Sequence, residues 1–283
     1  MRPMLTLLAY QLYKDDARDV IKHAVAVEAF HNFTLMHDDI MDKAPLRRGK
    51  PTVHKKWNMS TAILSGDVML VKVYEMLLEI DNQKLKTVYK AFNKCATEVC
   101  EGQQWDMEFE KQRTVTEAQY LKMIRLKTAV LLGFSLELGA ILAGASTLDC
   151  ELLREFGINI GIGFQLKDDL LDAYGDSTKF GKVVGGDIIA NKKTFLLIKS
   201  LELADRRQRK DLDNWMTKKK FNKREKVSAV KKIYDALSIS NLTESKIERY
   251  FKKGFKSLER VGCADKTKAL LRGYTRQLIE RES

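Results

Sequence analysis

The chain has 283 residues, is 45% hydrophobic, and carries 16 glycines, three prolines and a formal net charge of +12. That is enough apolar material for a sizeable core, and it excludes collagen-like, low-complexity and disordered compositions. The basic excess favours an anionic partner such as nucleic acid, lipid headgroups or a phosphorylated substrate. However, its lysine runs at 217–226 and 250–262 read first as solvated helix faces, without zinc-ligand spacing or an RNA-binding aromatic pattern.

Cys95, Cys100, Cys150 and Cys263 form no CxxC pair and have no histidine cluster beside them. They read as thiols of a reducing compartment. The opening MRPMLTLLAYQLYKDD suits neither a signal peptide nor a membrane span, and no run reaches about 18 uninterrupted apolar residues. The expectation is a cytoplasmic protein with no integral membrane segment.

In chain order, apolar residues at spacings of three and four predict a helix from Val20 to Met41. A second is predicted over 65–80, with Ser65 or Asp67 as its cap, and a third over 85–110. Thr116 and Glu117 suit the start of a fourth, and another runs from 149 to a Gly175 stop. The stretches 191–216 and 224–239 are amphipathic, and the last 40 residues also read as helix. No β-branched alternation and no Gly/Ser/Pro linker interrupts the series. The fold class is therefore all-α, a single-domain helical bundle over 1–283.

Two stretches break the basic character. Asp38, Asp39 and Asp42 follow the apolar run FTLM, and Asp168, Asp169 and Asp172 follow GFQLK. Residues four apart share a helix face, so each D-D-x-x-D sets like charges together at a cost of a few tenths of a kcal/mol. Chance produces one such pattern in roughly 6% of chains this long at ordinary aspartate usage. Oxygen donors without His or Cys suit a hard cation, Mg²⁺ in particular, which keeps waters and takes phosphate oxygens. Two such rows facing each other would clamp a diphosphate. Arg47 and Arg48, beside the first cluster, present planar forks that match phosphate.

DDIMD followed by RRG, and GFQLKDDLLDAYGD followed by FGK and GGD, resemble the trans-isoprenyl diphosphate synthases, the family of farnesyl and geranylgeranyl diphosphate synthases. The resemblance spans nearly the whole chain. It implies coupling of an allylic diphosphate to isopentenyl diphosphate, an all-α bundle of the isoprenoid synthase type around a central active-site cavity, and a homodimer. It also implies Mg²⁺, about three ions per substrate-loaded site, where metal and cations stabilise the departing diphosphate.

By that resemblance Asp38, Asp42 and Asp168 are direct Mg²⁺ ligands, and Asp39, Asp169 and Asp172 support them. Arg47 holds the allylic diphosphate and Arg48 the isopentenyl diphosphate. Lys127 contacts the allylic diphosphate, with Thr128 near the developing cation, and Gln165 matches the glutamine of FQxxDD. Lys182 and Lys192 add charge to the diphosphate pocket. Gln103 and Asp106 in EGQQWDM support the cavity, and His31 and His54 are candidates for the isopentenyl subsite. Arg2 matches the arginine of an N-terminal GGKxxRP element whose GGK part is missing, so the expectation is a chain lacking its extreme N-terminal segment.

Phe33 lies five residues before Asp38, with Thr34 rather than a second ring following it. On a helix both lie a turn or more below the acidic cluster, where an aromatic ring would floor a growing prenyl tail. This resembles short-chain enzymes and implies a C20 product, with C15 next. The alternatives are a class I terpene cyclase, a non-catalytic prenyl-diphosphate-binding subunit and a basic nucleic-acid binder. The first pairs its acidic motif with an N-x-x-x-S/T-x-x-x-E pattern, and the second loses an aspartate cluster. The third rests on charge alone.

Overall fold

The computed structural model describes residues 1–175 and 185–280 and is helical almost throughout. In chain order the helices are α1 (Arg2–Tyr10), α2 (Ile21–Met41), α3 (Val53–Lys56), α4 (Met59–Leu78), α5 (Asn82–Lys111) and α6 (Glu117–Ile124). A π-helical turn, Arg125–Ala129, joins α6 to α7 (Val130–Ala143). There follow α8 (Thr147–Tyr174), α9 (Gly186–Ala190), α10 (Phe195–Leu203), α11 (Arg206–Thr217), α12 (Lys223–Ala236), α13 (Ile239–Glu259) and α14 (Asp265–Glu280). The all-α expectation holds, with one addition: a short antiparallel hairpin pairs β1 (Leu46–Arg47) with β2 (Lys50–Pro51).

Side-chain chemistry explains the boundaries. Asn58 accepts from the Thr61 backbone N–H, so α4 starts there rather than at Ser65 or Asp67, which lie inside the helix. Thr116 and Gln119 form a reciprocal capping box at the head of α6. Asp205 and Gln208 form another, which divides the amphipathic stretch 191–216 between α10 and α11.

The chain forms two compact units. The first comprises Met1–Thr97, Leu131–Gly157 and Ser257–Thr275. Here α1 and α4 pack on α2. The core gathers around Phe92, with Phe30 edge-on at 5.1 Å, Tyr74 at 5.2 Å and Phe134 at 5.7 Å. Such ring pairs add about 1 kcal/mol each beyond the area they bury.

The second unit comprises Glu98–Val130, Ile158–Lys256 and the described part of Arg276–Ser283. Ala173, Ile188, Leu196, Leu212, Val230, Tyr234 and Ile239 pack together there. Lys226, 1% exposed, donates to the Ile189 carbonyl at 3.1 Å and to Asn191 Oδ1 at 2.7 Å. A cation is favoured at a helix C-terminus, and this one ties down the end of α9. Among the described residues, one helical stretch, Glu117–Ala143, is long and apolar enough to cross a membrane. Its most apolar 18-residue window is 83% buried within the protein, as in a core helix.

Candidate active site

In the first unit, α2 delivers its acids in its last turn. Asp39 is 5% exposed and points inward, while Asp38 and Asp42, one turn apart, are more open. A carboxylate at a helix C-terminus is disfavoured by the dipole, and a buried one needs a partner. Arg47 is that partner. Its Nε donates to both oxygens of Asp39 at 2.8 Å, and its Nη2 lies 2.7 Å from Asp39 and 3.5 Å from Asp38. These bonds raise the Arg47 pKa, so the guanidinium stays charged.

The hairpin brings Arg47 back onto α2. Its two turn residues, Arg48 and Gly49, have φ of 52° and 76°, the left-handed pair of a type I′ turn. The Thr52 hydroxyl closes the base by donating to the Ala44 carbonyl at 2.7 Å.

His31 lies seven residues before Asp38 in α2, and so on its face. Burial, and then the positive charges of Arg2, Arg48 and Arg47, lower its pKa to about 3. The imidazole is therefore neutral in a cationic patch. Arg2 is held down to about 10, chiefly by burial. Its Nε, one oxygen of Glu28 and both ring nitrogens of His54 are buried without a hydrogen-bond partner. The unpaired Arg2 Nε, with Arg48 close enough to act on it, suits an anion, whereas the Glu28 oxygen, an acceptor, does not.

The Phe33 ring packs against Phe30 at 5.7 Å and His37 at 4.7 Å. Its ring neighbours lie three residues before and four after it, which the residue beside it in sequence did not reveal. Thr34 spends its hydroxyl on the His31 carbonyl at 2.8 Å.

In the second unit, Lys127 and Thr128 sit on the π-helical turn. Such turns shift the register of the side chains that follow and recur at functional sites. Gly102 on α5 lies so close that a Cβ there would come within 2.2 Å of the Lys127 backbone nitrogen. Lys127 pairs with Asp106 at 2.7 Å. Thr128 donates to Gln165 Oε1 at 3.1 Å, and Gln165 Nε2 donates to Asp169 Oδ1 at 3.1 Å. The Tyr120 hydroxyl donates to the other Asp169 oxygen. Burial, above all, pushes Asp169 up to about 7.

The second cluster thus repeats the first. Its middle aspartate, Asp169, is 4% exposed and hydrogen-bonded, while Asp168 is exposed. Asp172 accepts from the Asp187 backbone N–H at 2.9 Å, which pins the start of α9. Lys192 lies 3.9 Å from Asp187. Asp106, Tyr120, Lys127, Thr128, Gln165, Asp169 and Lys192 share the lining of one cleft. Gln103 Nε2 is buried without a partner. Lys182 lies outside the described residues. Tyr120 and Gly102 were not singled out from the sequence. A tyrosine in an apolar helical run reads as core, and its only signal is its place seven residues before Lys127.

Among the described residues no three or more His, Cys, Asp or Glu side chains converge on one metal position. The donors are carboxylates set apart by helical turns. That fits a cation that keeps waters and completes its shell with phosphate oxygens, and it does not fit a closed cage.

Residues 1–237 match the polyprenyl synthetase family, and the chain belongs to it. It is 46% identical over 213 residues to a short chain isoprenyl diphosphate synthase of Methanocaldococcus jannaschii, covering 75% of this chain and 65% of that protein. A crystal structure of a geranylgeranyl pyrophosphate synthase superposes with a TM-score of 0.94 at 44% identity, covering 100% of this chain and 87% of that one. A geranylgeranyl pyrophosphate synthase from Corynebacterium glutamicum, complexed with isoprenyl diphosphate and magnesium, matches with a TM-score of 0.88 at 28% identity, covering 99% of this chain and 86% of that one. The chain spans just under two thirds of the length of several curated relatives it matches.

Proposed function

We propose that this chain is a short-chain trans-prenyltransferase. It couples an allylic diphosphate to isopentenyl diphosphate and yields geranylgeranyl diphosphate, with farnesyl diphosphate next. The observation that carries the reading is the hydrogen-bonded row Thr128, Gln165 and Asp169 beside Lys127 and the exposed Asp168. It places a cation, a hydroxyl, an amide oxygen and an acid along one cleft. Ionising a prenyl diphosphate calls for cationic charge at the leaving group and oxygen dipoles at the forming cation.

Asp38, Asp42 and Asp168 would hold Mg²⁺, and Asp39, Asp169 and Asp172 would orient their neighbours. The buried Asp39 and Asp169 already spend their oxygens on Arg47, Tyr120 and Gln165. The metal, when bound, supplies charge stabilisation of the departing diphosphate. Lys127, Lys192 and Lys182 add fixed positive charge to it. Arg47 turns its second edge to the allylic diphosphate, and Arg2, His31 and Arg48 bind the isopentenyl diphosphate. In that subsite a neutral His31 donates a hydrogen bond without adding charge. Water is kept from the cation by the apolar flank of the cleft, Met123 and Ile124.

The 283 residues act as one isoprenoid synthase domain in the cytoplasm. Two copies pair through α4, whose Leu64, Val68, Val71 and Leu78 form a stripe, each more than half exposed. A stripe that apolar on a long helix calls for a covering partner.

The test is coupling with both substrates and Mg²⁺, with chelator as control. Asp38→Asn and Asp168→Asn should each reduce turnover about 100-fold or more without loss of fold. Full activity in either variant would remove that aspartate from the site. A hydrocarbon formed from farnesyl diphosphate alone would point to a cyclase instead.

A further inference from the structure

We propose that Tyr120 is a positioning residue that fixes which way the Gln165 side-chain amide faces. The inference rests on the function just proposed, in which an allylic cation forms beside Thr128. Tyr120 is 2% exposed and its hydroxyl donates to Asp169 Oδ2. Gln165 Nε2 donates to Asp169 Oδ1 at 3.1 Å. Each oxygen of Asp169 thus accepts one hydrogen bond, and the Oδ1 bond holds the NH₂ end of the amide towards the carboxyl group. The carbonyl end, Oε1, is thereby turned to Thr128, whose hydroxyl donates to it at 3.1 Å.

The orientation matters because the two ends of an amide have opposite polarity. An amide oxygen stabilises a neighbouring cationic carbon, whereas an N–H repels it. Tyr120 acts by occupying one Asp169 oxygen completely. Without the phenol, Oδ2 is a bare buried acceptor on the same carboxyl group to which the Gln165 NH₂ already donates. The amide is then drawn off Thr128 and loses its fixed bearing. Tyr120 lines the cleft, but its hydroxyl is committed to Asp169, so it acts on the chemistry through Asp169 and Gln165.

The experiment is Tyr120→Phe, read in two ways. In ¹⁵N-labelled protein without substrate, hydrogen exchange of the Gln165 side-chain amide should accelerate about tenfold or more. In assays, kcat should fall about 10- to 100-fold, while the KM for the allylic diphosphate and the Kd for inorganic diphosphate with Mg²⁺ stay within about threefold. In a Gln165→Ala background the same substitution should change kcat by less than about twofold. Unchanged exchange, or a full kcat penalty that persists without Gln165, would overturn the inference. If Tyr120→Phe does not fold, Asp169→Asn serves, because its new NH₂ can donate to Gln165 Oε1 and turn the amide over. That variant should show the same kcat-only loss, and a matching loss of Mg²⁺–diphosphate binding would instead make Asp169 a metal ligand and overturn the proposal. If wild-type protein forms no prenyl product while the exchange result holds, the proposed function fails and the amide assignment stands.

Discussion

Arg47 grips the buried carboxylate of Asp39 from one side of a two-residue turn, with its Nε 2.8 Å from both oxygens. The pair joins the hairpin to the end of α2 and leaves Asp38 and Asp42 on the more open side. Arg47→Ala should destabilise the protein by about 1–3 kcal/mol, because it strands Asp39 without its cation. The lower half of that range is favoured by the partial exposure of Arg47, whose side chain is 35% accessible. Arg47→Lys should keep the charge and lose the fork, raising the KM for the allylic diphosphate more than it lowers stability. Urea unfolding and steady-state kinetics measure both. A stable Arg47→Ala protein would show that Asp39 does not depend on it.

Gly102→Ala tests the π-helical turn. The added methyl would fall within 2.2 Å of backbone at Lys127, where no flexible side chain can yield. Either α5 or the turn must shift, at about 1–3 kcal/mol. A misplacement of about 1 Å in Lys127 and Thr128 should cost roughly 100-fold in kcat. Normal turnover in a folded Gly102→Ala protein would show that the close approach is not needed.

Phe33→Ala tests the floor. Removing the ring opens space against Phe30 and His37. Products should extend beyond C20, with chromatography of dephosphorylated products as the readout. An unchanged length would remove Phe33 from the account.

His31 predicts an acid dependence. Its pKa falls from 6.5 to about 3 on folding, so between those values the unfolded chain binds more protons than the folded one. Its contribution opposes folding progressively as pH drops from about 6.5 towards 3, and it vanishes above 6.5. His31→Gln should flatten that limb by at least about 1 kcal/mol at pH 4, after allowance for solvent screening. Unfolding midpoints for the two proteins across that range provide the check. Parallel curves would mean that His31 is not held neutral.

The helices were legible because apolar spacing survives in the sequence wherever a helix buries one face, as α2, α5 and α8 do. Both acidic clusters were legible because aspartates at that spacing are electrostatically unfavourable without a ligand. The sequence did not show which aspartate turns inward, since that depends on the partners Arg47 and Tyr120, which arrive from other elements. The π-helical turn at Lys127 also left no pattern. Its register shift is a backbone event, set by Gly102 some 25 positions earlier in the chain. The hairpin was hidden because arginine, not Asn or Asp, takes the first left-handed position of its turn. The α4 start was missed because Ser65 and Asp67 are good caps in isolation, but Asn58 precedes the same apolar face by two turns.

The most direct test of the central claim is product analysis of the protein with labelled isopentenyl diphosphate, dimethylallyl diphosphate and Mg²⁺. The account predicts geranylgeranyl diphosphate as the main product and its loss when the metal is chelated. No chain growth, or growth indifferent to the metal, would contradict it.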